Sequence, residues 1–240
     1  MSNIFNLLIS KPLYNGFIYL IGTLPFLDAG IIIIIFTVIV KIILLPLSIK
    51  ASKAQLEMKN TEKDLALIKK QYGDNKEEYA KKQLEYYKEK GINPFAGIFI
   101  QIIQLPIIIA LYKVFIKSGL PSINKEMLYR FILPPVSINM VFLNMIDISQ
   151  KSITLAVLAG ITTYWQISLA SSPTSNDETT QSDMQKALMM QMKYMFPVIM
   201  VVVAYSISSA VALYLITSNV FSVVHEMYIR KKYHKHALVV

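Results

Sequence analysis

The sequence predicts an all-α membrane protein, a five-transmembrane-helix bundle with a cytoplasmic helical hairpin between spans 1 and 2. Three observations predict it. Hydrophobic residues fill 54% of 240 positions and the mean hydropathy is +0.47, so the chain's solvent is mostly lipid. Five apolar segments stand out, at 29–49, 95–116, 152–170, 189–207 and 210–229. Between the first two, residues 50–91 carry eleven lysines and eight Asp or Glu and are too polar to enter lipid.

Each element follows from its residues. Residues 1–28 read as an outer interfacial segment, with Leu13 to Phe26 mixing aromatic, aliphatic and small polar residues in the manner of an amphipathic helix. The opening Met1-Ser2-Asn3-Ile4-Phe5 lacks the basic start of a cleaved signal, so nothing is expected to be removed. Span 1, residues 29–49, holds 15 Ile, Leu, Val and Phe residues and one charge, Lys41. At about −0.3 to −0.6 kcal/mol per apolar residue, these outweigh about +3 for a central lysine.

In the insertion, Met58, Leu65 and Tyr72 recur every seven residues beside Ile68. Gly73-Asp74-Asn75 supplies a turn, and Tyr79 to Tyr87 resumes a helical pattern. Two antiparallel helices standing off the membrane satisfy that pattern, as does a solvated helix pair with no binding role. Residues 117–151 are an outer loop or interfacial segment, because Pro134-Pro135 interrupts the apolar stretch Phe131 to Ile148. Residues 171–188, opening with Ser171-Ser172-Pro173-Thr174-Ser175-Asn176, form a polar loop. Spans 4 and 5 make a tight hairpin through Ser208-Ser209, and 230–240 is a basic tail. Pro46, Pro106 and Pro197 each remove a backbone donor inside a span and permit bends.

The cations set the orientation. The insertion, the loop 171–188 with Lys193, and the tail hold 17 of the 24 Lys and Arg. The positive-inside rule then makes the insertion and C-terminus cytoplasmic, and five spans put the N-terminus outside. The net charge of +9 is explained by these flanking segments and anionic headgroups without specific DNA binding.

Polar residues inside the spans mark the candidate site. Lys41 lies about 13 Å of helix from the end of its span, deep for a lysine that merely snorkels. Thr37, Lys41 and Ser48 share one helix face. Gln101 and Gln104 in span 2, Thr162, Thr163 and Gln166 in span 3, and Tyr214, Ser218, Ser222 and His225 in span 5 supply matching stripes. They fit either a shared hydrophilic cavity or ordinary interhelical hydrogen bonding at about 0.6 kcal/mol each.

Enzymatic chemistry is not indicated, and neither a cofactor nor a small-molecule substrate is expected. His225-Glu226 begins a zinc-protease pattern, but Ile229 stands where the second histidine belongs. There is no cysteine, and neither a Gly-x-Ser-x-Gly elbow nor a P-loop. A site of this composition acts by solvation and electrostatics. Two other classes compete. A secondary transporter or channel would use Lys41 as counter-ion for an anionic solute, and should show repeat symmetry, which is absent from the sequence. A structural subunit would have fully paired polar groups.

Ordered blocks along nearly the whole chain resemble the YidC-type membrane-protein insertases. They are Lys41-Ile-Ile-Leu-Leu-Pro46-Leu-Ser48, Asn93-Pro94-Phe-Ala-Gly97 running to Gln104-Leu-Pro106, Ala159-Gly160-Ile-Thr162-Thr163-Tyr-Trp-Gln166, Met195-Phe-Pro197, and Ala212-Leu-Tyr214 with Ser218-Asn219. The chain departs in having Lys41 for the usual arginine, Leu215 for a common tryptophan, and Ile207-Ser208-Ser209-Ala210 for the usual turn. A lysine keeps the charge but loses the bidentate fork.

The resemblance implies a short form without a large outer domain, in a bacterial cytoplasmic membrane. It also implies a groove open to the cytoplasm and lipid and closed outside, lined by Thr37, Lys41, Gln101, Gln104, Thr162, Gln166, Tyr214 and Ser218. Nascent membrane proteins and the lipid bilayer would be its partners, with the ribosome and the general secretion translocon as further ones.

Overall fold

The computed structural model describes residues 6–92, 107–109, 122–170 and 190–237. Span 2, with Gln101 and Gln104, and the loop 171–188 therefore lie outside the described residues, apart from Ile107, Ile108 and Ile109. The fold is helical and membrane-associated. A wide turn at Asn6–Ser10 leads into α1 (Lys11–Thr23), where Pro12 sits in the first turn and lacks a donor that would have no partner there. Tyr14, Phe17, Ile18 and Ile21 of α1 are buried at the three-to-four-residue spacing of one helix face.

Helix α2 (Ala29–Ile43) begins at Asp28, whose carboxylate accepts from the Ile31 N–H at 2.9 Å. It ends where Pro46 cannot bond back to Ile42, and α3 (Leu45–Asn60) leaves at 60°. The first predicted span is therefore two helices about a break at Leu44. Helices α4 (Glu62–Tyr72) and α5 (Lys76–Glu89) pack on each other across the turn at Gly73 to Asn75, with Asn75 capping α5 through the Glu77 and Glu78 N–H groups. Leu65, Tyr79, Gln83 and Tyr87 form their buried seam, and Tyr86 donates to Asp64 at 2.5 Å between them.

The loop 122–152 contains one feature that the periodicity did not indicate, a short antiparallel pair, β1 (Val141–Phe142) with β2 (Ile146–Asp147). Its turn places Leu143 and Asn144 at φ of 50° and 57°, a region that L-residues rarely occupy. The second Asp28 oxygen accepts from the Leu143 N–H at 3.2 Å, so one carboxylate both starts α2 and holds this turn. Phe142 lies over Gly30, where a Cβ would overlap its ring.

Helix α6 (Ile153–Ala170) packs against α7 (Phe196–Ile207) and α8 (Ser209–Ala237), and α8 also packs against α2. Gly160 permits the close approach of α6 to Val201 and the Pro197 carbonyl. Only Ser208, extended at φ −171°, separates α7 from α8, as the predicted tight hairpin requires. Among the described residues one helix, Ser209–Lys232, is long and apolar enough to cross a membrane, and the bent Ala29–Ile43 and Leu45–Ala54 pair makes a second if it is one span. Ile153–Leu169 and Gln191–Ile207 are apolar but shorter.

The loop 122–152 is hydrogen-bonded to α1, to the start of α2 and to the start of α8. Asn15 accepts from the Tyr129 N–H at 2.6 Å and donates to the Met127 carbonyl at 2.7 Å. Tyr14 accepts from the Asn124 N–H at 2.8 Å. Ala29 N–H bonds the Asn139 carbonyl, Ser209 donates to the Gln150 carbonyl through both its N–H and its hydroxyl, and Ala210 N–H bonds the Ile148 carbonyl. Irregular backbone near lipid needs this accounting, because each unpaired buried group carries a desolvation cost.

Two predictions follow from these contacts. Gly30→Ala, by driving a methyl into Phe142, destabilises the protein by about 1–3 kcal/mol in thermal unfolding, and its effect combined with Phe142→Ala is less than additive. Partial desolvation, and then the Asp64 carboxylate accepting its hydrogen, push the Tyr86 phenol up to about 12. The folded hairpin keeps that proton where the unfolded chain, near 10, has lost it. Its contribution is complete below pH 10 and declines as pH rises through 10 to 12. Tyr86→Phe removes this component from helicity followed by circular dichroism.

Candidate functional site

The site is built where α2 faces α8. Lys41 reaches the last turn of α2, and its ammonium donates to Ser222 Oγ at 3.0 Å. Ser222 in turn donates to the Ser218 carbonyl, one turn earlier in α8, at 2.8 Å. A helix backbone carbonyl already engaged in the α-helical ladder retains a second lone pair, so this relay passes the lysine's polarity into backbone already fixed by folding. Around it Ser218 is fully buried and Tyr214 nearly so, and among the described residues neither the Tyr214 hydroxyl nor His225 Nε2, one turn beyond Ser222, has a hydrogen bond of ordinary geometry. Thr37, 1% exposed, spends its hydroxyl on the Ile33 carbonyl of its own helix at 2.6 Å.

The structure thus joins Lys41 of α2 to the Ser218–Ser222 turn of α8, with Thr37 one turn before Lys41 on α2 and Tyr214 one turn before Ser218 on α8. Thr162 and Gln166 belong to α6. Thr162 and Thr163 both donate to the Ala159 carbonyl and both accept from the Asn219 amide, at 3.2 and 2.8 Å. Thr162 is therefore engaged in joining α6 to α8, whereas Gln166, one turn on, is half-buried. Gln101 and Gln104 fall outside the described residues. Asn219, absent from the predicted stripe, is 4% exposed and joins the two helices. It lies about 100° around α8 from Ser218 and so faces α6 instead of α2. The adjacent threonine pair in span 3 was its one signal in the sequence.

Aromatic and cationic residues mark the two ends of α6 and α7. Lys151 lies 5.8 Å from the Tyr205 ring centre at one end, and Lys193 lies 6.0 and 5.5 Å from Tyr164 and Tyr194 at the other. Between them Val157, Leu158, Ile161, Val198 and Val202 are exposed. No group of three or more His, Cys, Asp or Glu that could hold a metal occurs among the described residues.

Apolar helices with exposed aliphatic flanks, packed around a lysine bonded to a hydroxyl relay, define an all-α, membrane-associated protein. The family model described as "60Kd inner membrane protein" matches residues 22–236. The membrane protein insertase YidC of Fusobacterium nucleatum is 33% identical over 203 residues, covering 85% of this chain and 86% of that protein. Its counterpart in Clostridium tetani is 29% identical over 240 residues, covering 99% and 98%. The Chloroherpeton thalassium protein of the same name is 28% identical over 204 residues, 84% of this chain but 33% of that longer protein. The chain belongs to the YidC-type membrane-protein insertase family.

Removing the amide that bridges α6 and α8 has a measurable cost. Asn219→Ala lowers stability by about 1 kcal/mol, two interhelical bonds at about 0.6 each. Thr163→Val alone, which keeps the volume, gives a smaller fall in the same detergent thermal-shift measurement.

Proposed function

We propose that the chain is a membrane-protein insertase and chaperone. The hydrophilic tail or loop of a nascent membrane protein enters a groove from the cytoplasmic side, and its apolar helix passes into lipid along the exposed flanks of α6 and α8. Family membership carries this reading, and the Lys41–Ser222–Ser218 relay supplies its physics. Hydroxyls and a cation inside the bundle replace part of the hydration that a peptide loses on entering the membrane. Lys41 attracts acidic residues of the tail in a setting where one charge acts more strongly than in water. Thr37, Gln101, Gln104, Thr162, Gln166, Tyr214 and Ser218 line the groove with it, and no chemical bond changes.

The proposed frame is five spans with the N-terminus outside, the α4–α5 hairpin and the basic tail in the cytoplasm, and the stitched outer loop as the roof. The paired Lys and Tyr clusters at both ends of α6 and α7 support reading these short helices as spans, since such side chains anchor at headgroups. The tail from Arg230 to Lys235 is suited to ribosomal RNA or anionic lipid. The hairpin is suited to recruiting clients or the general secretion translocon.

Complementation tests the class: this chain restores growth to a bacterium depleted of its own insertase, and failure of a well-expressed chain to do so overturns the reading. Lys41 is tested in proteoliposomes. Lys41→Glu impairs insertion of clients with acidic outer tails by about tenfold, the loss of one favourable and gain of one unfavourable charge contact near 1.4 kcal/mol. Lys41→Arg retains insertion. Equal yields for the parent, Lys41→Glu and Lys41→Ala remove the electrostatic role.

A further inference from the structure

At the end of the bundle opposite the Ser208 turn, one carboxylate joins three helices. Glu226 of α8 accepts from Ser52 Oγ of α3 at 2.9 Å with one oxygen and from Arg230 Nε at 2.9 Å with the other. Arg230 then donates through Nη2 to the Leu169 carbonyl, in the last turn of α6. The guanidinium thereby ties α8 to the last described turn of α6. The junction is shielded: Ser52 is 2% exposed, and the Glu226 and Arg230 side chains are 12% and 25% exposed. An i,i+4 Glu–Arg pair on an open helix face stabilises little. Here the same pair is enclosed and its remaining lone pairs and donors are used by other helices.

The place of Ser52 gives the junction a mechanical meaning. Helix α3 departs from α2 at Leu44 with a 60° bend, and Pro46 has removed a hydrogen bond that would have stiffened that joint. Ser52 lies two turns beyond the bend, and α3 continues to Asn60, with only Thr61 between it and Glu62, which opens the charged α4–α5 pair. A rigid arm on a weakened joint takes its angle from whatever holds it further along. We infer that the Ser52–Glu226–Arg230 junction is a tether that sets the angle of α3 at the Leu44 bend, and with it the resting posture of the α4–α5 hairpin. Glu226 is the positioning residue, because it alone bonds both the arm and the arginine that ties α8 to α6. The inference stands on this junction and is independent of the role proposed for Lys41.

The chain has no cysteine, so paired spin labels can be placed at Leu67→Cys on the hairpin and Ile161→Cys on α6, both exposed in the parent. Distance distributions are measured in lipid nanodiscs. Ser52→Ala and Glu226→Ala each broaden the distribution by at least about twofold, as release of a hinge-held element does, while Lys231→Ala, an exposed cation beside the junction, leaves it unchanged. Thermal unfolding of Ser52→Ala stays close to the parent's, which separates loss of posture from loss of fold. A parental width in folded Ser52→Ala overturns the tether. Should Glu226→Ala fail to fold, Ser52→Ala decides the matter, since it removes one hydroxyl and leaves the Glu226–Arg230 pair intact.

Discussion

An ammonium in the last turn of an apolar helix has to find polar partners, and much of this architecture depends on how Lys41 finds them. Turned towards lipid, Lys41 would cost several kcal/mol and pull its helix towards one surface. Turned towards α8, it meets Ser222 and, through it, the Ser218 carbonyl. That solution needs α2 and α8 in close contact along the lysine's face, and the fully buried Val211, Tyr214, Leu215 and Ser218 of α8 show how tightly the seam is made. The hydroxyl and carbonyl of this relay are neutral groups that solvate a cation through their lone pairs.

The second requirement is backbone accounting at the bundle end that holds Ser208. A loop over the bundle end has to satisfy its own amides and those of the helix termini beneath it. Asp28, Asn15, Tyr14 and Ser209 do this from helices while the loop contributes backbone groups in return. The two ends of the molecule therefore differ in kind. The end at Ser208 is bonded to the loop 122–152 largely through main-chain groups. The other end is joined through a few side chains, Ser52, Glu226 and Arg230, and leads into charged helices.

How much of this was legible in the sequence divides along the range of the interaction. Lys41 and the stripe Tyr214–Ser218–Ser222 are legible as helical periodicity, and the break at Ser208 and the turn at Gly73 as turn chemistry, because each is a local pattern; which neighbours those residues meet is set by packing between distant segments. Pro46 announced a bend but not its 60° size, which depends on what α3 packs against. The β1–β2 pair was hidden because its four strand residues are too few to show an alternating pattern. Asn219 was overlooked for a related reason: on a wheel it falls outside the stripe, and only its partners on α6 reveal its use. Glu226 was weighed as half of a metal motif, and its actual partner, Ser52, lies 174 residues away in sequence.

The attachment of Ser209 to Gln150 fixes more than a loop. Ser222 stands thirteen residues along α8 from that anchor, about 20 Å at 1.5 Å per residue. The height of the hydroxyl that meets Lys41 is thereby measured off from the loop like a mark on a ruler. Lengthening or shortening the chain between Ile148 and Ser152 would move that anchor and carry Ser222 away from the ammonium, so a change made at the rim would be felt at the centre.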